Sequence, residues 1–182
     1  MLVELADLPE VSGVERAVID QLFGAAYEEL KRLAASVRRG DPSATLTPTA
    51  LVNEAWLKLS ATPALAQLPP LHFRRIAARA MRQVLIEAAR RRLADKRGAG
   101  ASLVTFDESL DQGATTPESL LQLHDALEAL AAANPRQAML VECRFFGGLE
   151  TAEIAELLGV SEATVLRDWR AARAWLSHEL RG

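Results

Sequence analysis

Two groups of side chains in this sequence have the types and spacing to do chemistry on a polyanion. The first lies in TAEIAELLGVSEATVLRDWRAARAWL, residues 151–176. If 162–180 is helical, Val165, Trp169, Ala172 and Leu176 fall at i, i+4, i+7 and i+11 and form one apolar stripe. The opposite face then carries Glu162, Leu166, Arg167, Arg170 and Arg173, with Ser161 and Thr164 at its N-terminal end. Such a helix fits the DNA major groove, its first residues at base edges and its arginines near phosphates. The second group is the segment 74–97. Its nine basic residues (Arg74, Arg75, Arg79, Arg82, Arg90, Arg91, Arg92, Lys96 and Arg97) stand against Glu87 and Asp95 alone. A charge run is often only a solvated face, but this one sits in an otherwise acidic chain, which favours a nucleic-acid surface.

Chemistry of other kinds finds no support. His72, His124 and His178 form no i, i+4 metal pair, and no GxSxG, P-loop, HExxH or CxxC occurs, so neither metal nor cofactor is expected. The single cysteine, Cys143, lies in the apolar MLVECRFF and reads as packed rather than nucleophilic. Glu142 and Glu150 have no catalytic company. The expectation is a protein that is not an enzyme.

The whole-chain charge conceals the basic segment. The 182 residues carry a formal net charge of −3, which taken alone argues against a nucleic-acid partner. Divided along the chain, that charge is −3 over residues 1–73, +7 over 74–97 and −7 over 98–182. A net-acidic C-terminal region should hold DNA poorly by itself, because phosphate contacts supply most non-specific affinity. One cysteine fits a reducing cytosol. The start, MLVELADLPEVSG, has no basic and apolar signal pattern, and no apolar run of membrane-spanning length occurs, so a cytoplasmic protein with no membrane partner is expected.

The elements that must position these groups are helical. Ala, Leu, Glu and Arg dominate, aromatics make up only 5%, and no stretch alternates with period two. Thr47-Pro48, Thr116-Pro117 and Asn134-Pro135 each pair an N-cap residue with proline at the first helical position. Gly147-Gly148 and Gly159 read as helix stops. These signals predict helices over about 14–38, 48–60, 70–96, 117–133, 135–146, 151–158 and 162–180, the third with a candidate break near Gln83. KRGAGASLVTFDESLDQGATTP has three glycines and no helical period, so it reads as a linker. The fold class is all-α: two small helical domains, 1–97 and 117–182, joined by a flexible linker over 98–116.

Within the C-terminal part, Ala155 must be small where a second helix crosses it, Gly159 gives the turn, Val160 plugs the angle and Ser161 caps the second helix. That order of residues is a helix-turn-helix; an ordinary hairpin with a solvated arginine face is the plainer alternative. In 72–97, Phe73, Ile76, Ala77, Ala80, Val84 and Ala88 form an inward stripe that leaves Arg75, Arg79 and Arg82 largely outside it. Upstream, TPTALVNEAWLKL is a capped helix with Leu51, Val52, Ala55, Trp56 and Leu59 apolar and Thr49, Asn53, Glu54 and Lys58 on its polar side, the side suited to a protein partner.

In order and spacing, PTALVNEAWLKL, HFRRIAARAMRQVLIEAARRR and NPRQAMLVECRFFGGLETAEIAELLGVSEATVLRDWRAARAWL resemble a bacterial RNA polymerase sigma factor of the extracytoplasmic-function (ECF) type, over about residues 15–181. The resemblance implies a sigma region 2-like helical bundle and a region 4-like helix-turn-helix. It implies binding to core RNA polymerase through Thr49, Asn53, Glu54 and Lys58. Recognition and opening of the −10 promoter element would fall to Arg79, Arg82, Gln83, Arg90, Arg91, Arg92, Lys96 and Arg97, with a flipped base captured in a nearby loop pocket. Ser161, Glu162, Thr164, Leu166, Arg167, Arg170 and Arg173 would read the −35 element as duplex. Core polymerase and promoter DNA are the implied partners, with room for an anti-sigma protein as a third.

Three departures from the family pattern bear on this. Ala50 stands where an acid is common, Leu166 where Lys or Arg is common, and residues 74–97 contain no aromatic on which a melted base could stack. A stand-alone helix-turn-helix regulator that binds DNA without polymerase is the alternative function. A degenerate sigma-like regulator unable to open promoters is a further one, against which the intact basic segment argues.

Overall fold

Short side chains that cap and prolines that cannot continue a preceding helix decide where most of the elements start. A computed structural model describes residues 12–39, 47–95 and 116–180 and places seven α-helices there: α1 (Gly13–Arg39), α2 (Pro48–Ser60), α3 (Pro70–Asp95), α4 (Pro117–Ala133), α5 (Pro135–Gly147), α6 (Thr151–Leu158) and α7 (Glu162–Glu179). No strand occurs among the described residues, and the fold is all-α. Each expected cap is made. Thr47 Oγ1 accepts from the Ala50 N–H at 3.2 Å, Thr116 Oγ1 from Ser119 at 3.1 Å, and Asn134 Oδ1 from Gln137 at 3.3 Å. At the head of α1, Ser12 and Glu15 bond reciprocally to each other's backbone N–H groups.

Two details differ from expectation. The stretch before α3 folds as a 3-10 turn, Pro63–Gln67, because the prolines at 63, 69 and 70 leave room for little more than one turn. And α3 passes Gln83 without a break, since nothing from Leu71 to Asp95 is glycine or proline. Its 26 residues make a rod about 39 Å long at ~1.5 Å per residue.

That rod is the centre of the molecule. Helices α1 and α2 pack on each other and on α3; α4 and α5 pack on α3 from another side, and α6 and α7 complete the group around α5. The buried apolar side chains form one cluster that runs through both groups. Helical spacing shows how α3 serves two neighbours at once. Phe73, Ala77, Ala80 and Val84 follow the expected inward stripe and are buried. A second stripe, Ala78, Leu85 and Ala89, is buried as well, on the side where Ala78 meets α5. Burying a leucine such as Leu85 contributes about 2 kcal/mol, so this second contact is more than a charge pairing.

Gly147 explains how closely α3 and α5 approach. A β-carbon placed there would lie 2.9 Å from Ala78 Cβ and 2.8 Å from Leu149 Cδ1. Its neighbour Gly148 ends α5 in the left-handed region at φ 60°, and Gly159 ends α6 at φ 64°, the two positions among the described residues that need glycine for their backbone. Residues 98–115 of the expected linker lie outside the described residues; Thr116, its last member, is the N-cap of α4. Among the described residues no helix is long and apolar enough to cross a membrane.

Candidate nucleic-acid interface

The helix-turn-helix is built as its residue types require. Gly159 turns the chain; the Val160 N–H returns to the Ala155 carbonyl at 3.0 Å; and Ser161 Oγ accepts from the Thr164 N–H at 3.2 Å, opening α7. Val165, Ala172 and Leu176 are buried, and Trp169 is half-buried with the Arg144 guanidinium 4.9 Å from its ring centre. The stripe also contains a residue that apolar periodicity passed over. Asp168 is buried and accepts from Arg136 Nη2 of α5 at 2.7 Å, fixing α7 against α5. An acid inside an apolar stripe, at i+3 from Val165, was the available signal.

The outer face of α7 presents Ser161, Glu162, Leu166, Arg167 and Arg170 to solvent together, while Thr164 and Arg173 are half-buried. Leu166 is 40% exposed, an apolar spot among polar neighbours. It suits contact with a thymine methyl group better than a phosphate.

The basic helix divides in a way that charge counting did not reveal. Arg79, Gln83 and Arg90, at i, i+4 and i+11, share one exposed face of α3. Arg91 is exposed at the far end, Arg92 is half-buried, and Lys96 and Arg97 lie outside the described residues. Arg82 faces another way. Its side chain is 12% exposed and its guanidinium reaches Glu142 at 3.1 Å, Glu128 at 2.8 Å, and both Nδ1 and the carbonyl of His124 at 2.9 and 3.1 Å. Arginine only donates, so His124 Nδ1 accepts and its ring proton sits on Nε2. Burial first, and then Arg82, hold the His124 imidazole below its ordinary pKa.

Two turns earlier on the same stripe, Arg74 pairs with Glu153 of α6 and donates to the Gly148 carbonyl at 3.3 Å. Glu153 also accepts from the Glu150 N–H at 2.8 Å, so one carboxylate caps α6 and holds α3. Arg74, Ala78 and Arg82, at i, i+4 and i+8, thus make a seam of two charged anchors with a close backbone approach between them.

On α2, Thr49, Asn53 and Lys58 are exposed and Glu54 is half-buried. Lys58 Nζ lies 2.9 Å from Glu87, and Glu54 accepts from Arg91 at 3.3 Å. Leu57 is exposed on the same side, between Asn53 and Lys58 in helical projection. Cys143 is fully buried, and that burial pushes its thiol pKa up to about 12, which leaves it unreactive.

A family model described as ECF sigma factor matches residues 8–182. The chain belongs to the ECF sigma factor family. It is therefore a DNA-binding transcription factor that acts in initiation, and the family is one of non-enzymatic proteins. No curated protein and no solved structure matches this sigma factor.

Proposed function

We propose that this sigma factor binds core RNA polymerase and directs initiation to specific promoters. Residues 1–97 form the module that docks on polymerase and opens the −10 element, residues 98–116 link it, and residues 117–182 read the −35 element as duplex. Promoter DNA and core polymerase are its partners, an anti-sigma protein is a third where one exists, and the cytoplasm is its setting.

The observation that carries this reading is the pairing of two exposed polar faces in one ECF-family chain. One is Arg79, Gln83 and Arg90 on α3; the other is Glu162, Leu166, Arg167 and Arg170 on α7. Arginines on both can meet phosphates, and the first residues of α7 can meet base edges. Polymerase contact through Thr49, Asn53, Glu54 and Lys58 supplies the affinity that a C-terminal region of net charge −7 lacks.

Reconstituted run-off transcription with core polymerase and a genomic fragment library tests it. Polymerase-dependent initiation from a subset of fragments is expected. No initiation from any fragment overturns the reading, and duplex binding of full strength without polymerase would favour a stand-alone regulator instead.

A further inference from the structure

We infer that Leu166 selects one thymine of the −35 element, through the C5-methyl group in the major groove. The inference deepens the proposed reading of duplex by α7 and rests on it.

The first turns of a helix seated in the major groove are the ones that reach base edges. In α7 much of that stretch is already committed inside the chain. Ser161 Oγ accepts from the Thr164 N–H at 3.2 Å and shares a hydrogen bond with Thr164 Oγ1 at 3.0 Å. Val165 is buried in the core, and Asp168 is held by Arg136. The exposed remainder is Glu162, Ala163, Leu166 and Arg167. Ala163 and Leu166, at i and i+3, are neighbours on the helix surface, about 5–6 Å apart at Cβ. Together they make an apolar spot, with Glu162 one turn before Leu166 and Arg170 one turn after it.

Leu166 keeps 40% of its surface in water, whereas Leu157 and Leu158 of α6 and Trp169 and Trp175 of α7 pack on the core. Among the described residues of α4 to α7 it is the one large apolar side chain left so exposed. A leucine adds nothing to phosphate binding, because it has neither charge nor donor. On the base edges it has one partner. The thymine methyl is the apolar group that base pairs display in the major groove, beside donors and acceptors. Against guanine, adenine or cytosine, leucine would strip water from a polar group and return no hydrogen bond. One residue therefore favours thymine and disfavours the other three bases. Exposed Arg167 and Arg170 beside it commit the spot to DNA, since an apolar protein surface would bury two cations without partners.

The test starts from a randomised duplex pool, selected by the holoenzyme and, at low salt, by the free chain. Each thymine of the selected −35 element is then replaced by deoxyuridine, which removes the methyl group alone. At one position wild-type affinity should fall about fourfold, the worth of one methyl taken out of water. At that position 5-methylcytosine paired with guanine should bind about fourfold better than cytosine, because it restores the methyl. Leu166→Ala should bind the thymine and deoxyuridine duplexes alike, with an unchanged salt slope because no counterion is involved. Arg170→Ala should weaken both duplexes and keep their ratio. Circular dichroism should show the wild-type helix content in both variants, since both side chains are exposed.

A selected element without thymine overturns the inference, as does a wild-type chain indifferent to deoxyuridine at every position. A thymine-to-deoxyuridine ratio that survives in Leu166→Ala overturns it too. Run-off transcription reports separately on function. A methyl-dependent duplex that never supports initiation sinks the proposed function alone; initiation without any methyl effect sinks the Leu166 assignment alone. Selection of no duplex by either form overturns both.

Discussion

Glu54 of α2 and Arg91 of α3 form an ion pair, with 3.3 Å between Oε2 and Nη2. One is proposed to meet polymerase and the other DNA, so the two proposed interfaces adjoin along the α2–α3 edge. The Lys58–Glu87 pair, one turn away on each helix, repeats the arrangement at 2.9 Å. Both pairs are substantially exposed, and such pairs contribute between nothing and about 1 kcal/mol. Their placement therefore bears more on which charges this edge displays than on holding α2 in place. The buried side chains of α2, Leu51, Val52, Ala55 and Leu59, do that.

Charge reversal at Glu54 separates these roles. Glu54→Lys should weaken binding to core polymerase about tenfold or more while changing the thermal midpoint by only a degree or two, as expected for a surface pair in a domain of this size. Arg91→Ala breaks the same pair and leaves Glu54 free, so its polymerase affinity should stay within about twofold of wild type. Fluorescence titration of labelled protein with core enzyme measures both. Normal affinity for Glu54→Lys would remove Glu54 from the polymerase interface.

Arg170 is exposed on the outer face of α7 beyond its first two turns, where a guanidinium lies nearer the sugar–phosphate backbone than the base edges. Arg170→Ala in the holoenzyme should weaken binding to all promoter sequences alike. It should also lower the slope of log K against log salt by about 1. Filter binding over a salt series gives that slope. A change in sequence preference with an unaltered slope would move Arg170 from phosphate to base.

Much of the architecture was legible because its causes are local. Thr47-Pro48, Thr116-Pro117 and Asn134-Pro135 fix helix starts through one hydroxyl or amide and one ring, and α2, α4 and α5 begin where those signals say. The turn of the helix-turn-helix was equally local, since Gly159 and Ser161 each act within a few residues. Arg82 was different. It looks like its neighbours in a charge run, and its partners lie 42 to 60 residues away on α4 and α5. Only packing decides whether an arginine faces phosphate or carboxylate. The second apolar stripe of α3 was hidden for the same reason: alanines at 78 and 89 suit a solvated helix as well as a tight interface. Asp168 reads as a surface acid until Arg136 is found beside it.

The Arg136–Asp168 pair offers a direct measure of what fixes α7. Asp168 is 7% exposed and Arg136 48%, so removing the arginine leaves a carboxylate in apolar surroundings with its partner gone. Arg136→Ala should cost about 2 kcal/mol, less than for a fully buried pair because water can reach the arginine side. Asp168→Asn, which keeps the shape and discards the charge, should cost less than Arg136→Ala. Urea unfolding followed by circular dichroism measures both. Equal and negligible losses would mean that Val165, Ala172 and Leu176 alone seat the helix.

His124 makes the seam between α3 and α4 sensitive to acid. Burial, and after it the Arg82 guanidinium, keep its imidazole harder to protonate than in the unfolded chain, where its ordinary pKa is 6.5. As pH falls through 6.5 the unfolded or undocked histidine takes up protons that the packed one refuses, so the contribution is full above that pH and declines below it. A protonated Nδ1 would also point a second cation at Arg82, now 2.9 Å away. The thermal midpoint should therefore fall between pH 7.5 and 5.5, before most carboxylates titrate, and His124→Gln should flatten that fall because glutamine does not ionise. Differential scanning calorimetry across that range decides it. A slope that survives unchanged in His124→Gln would mean that His124 is not the source of the acid sensitivity.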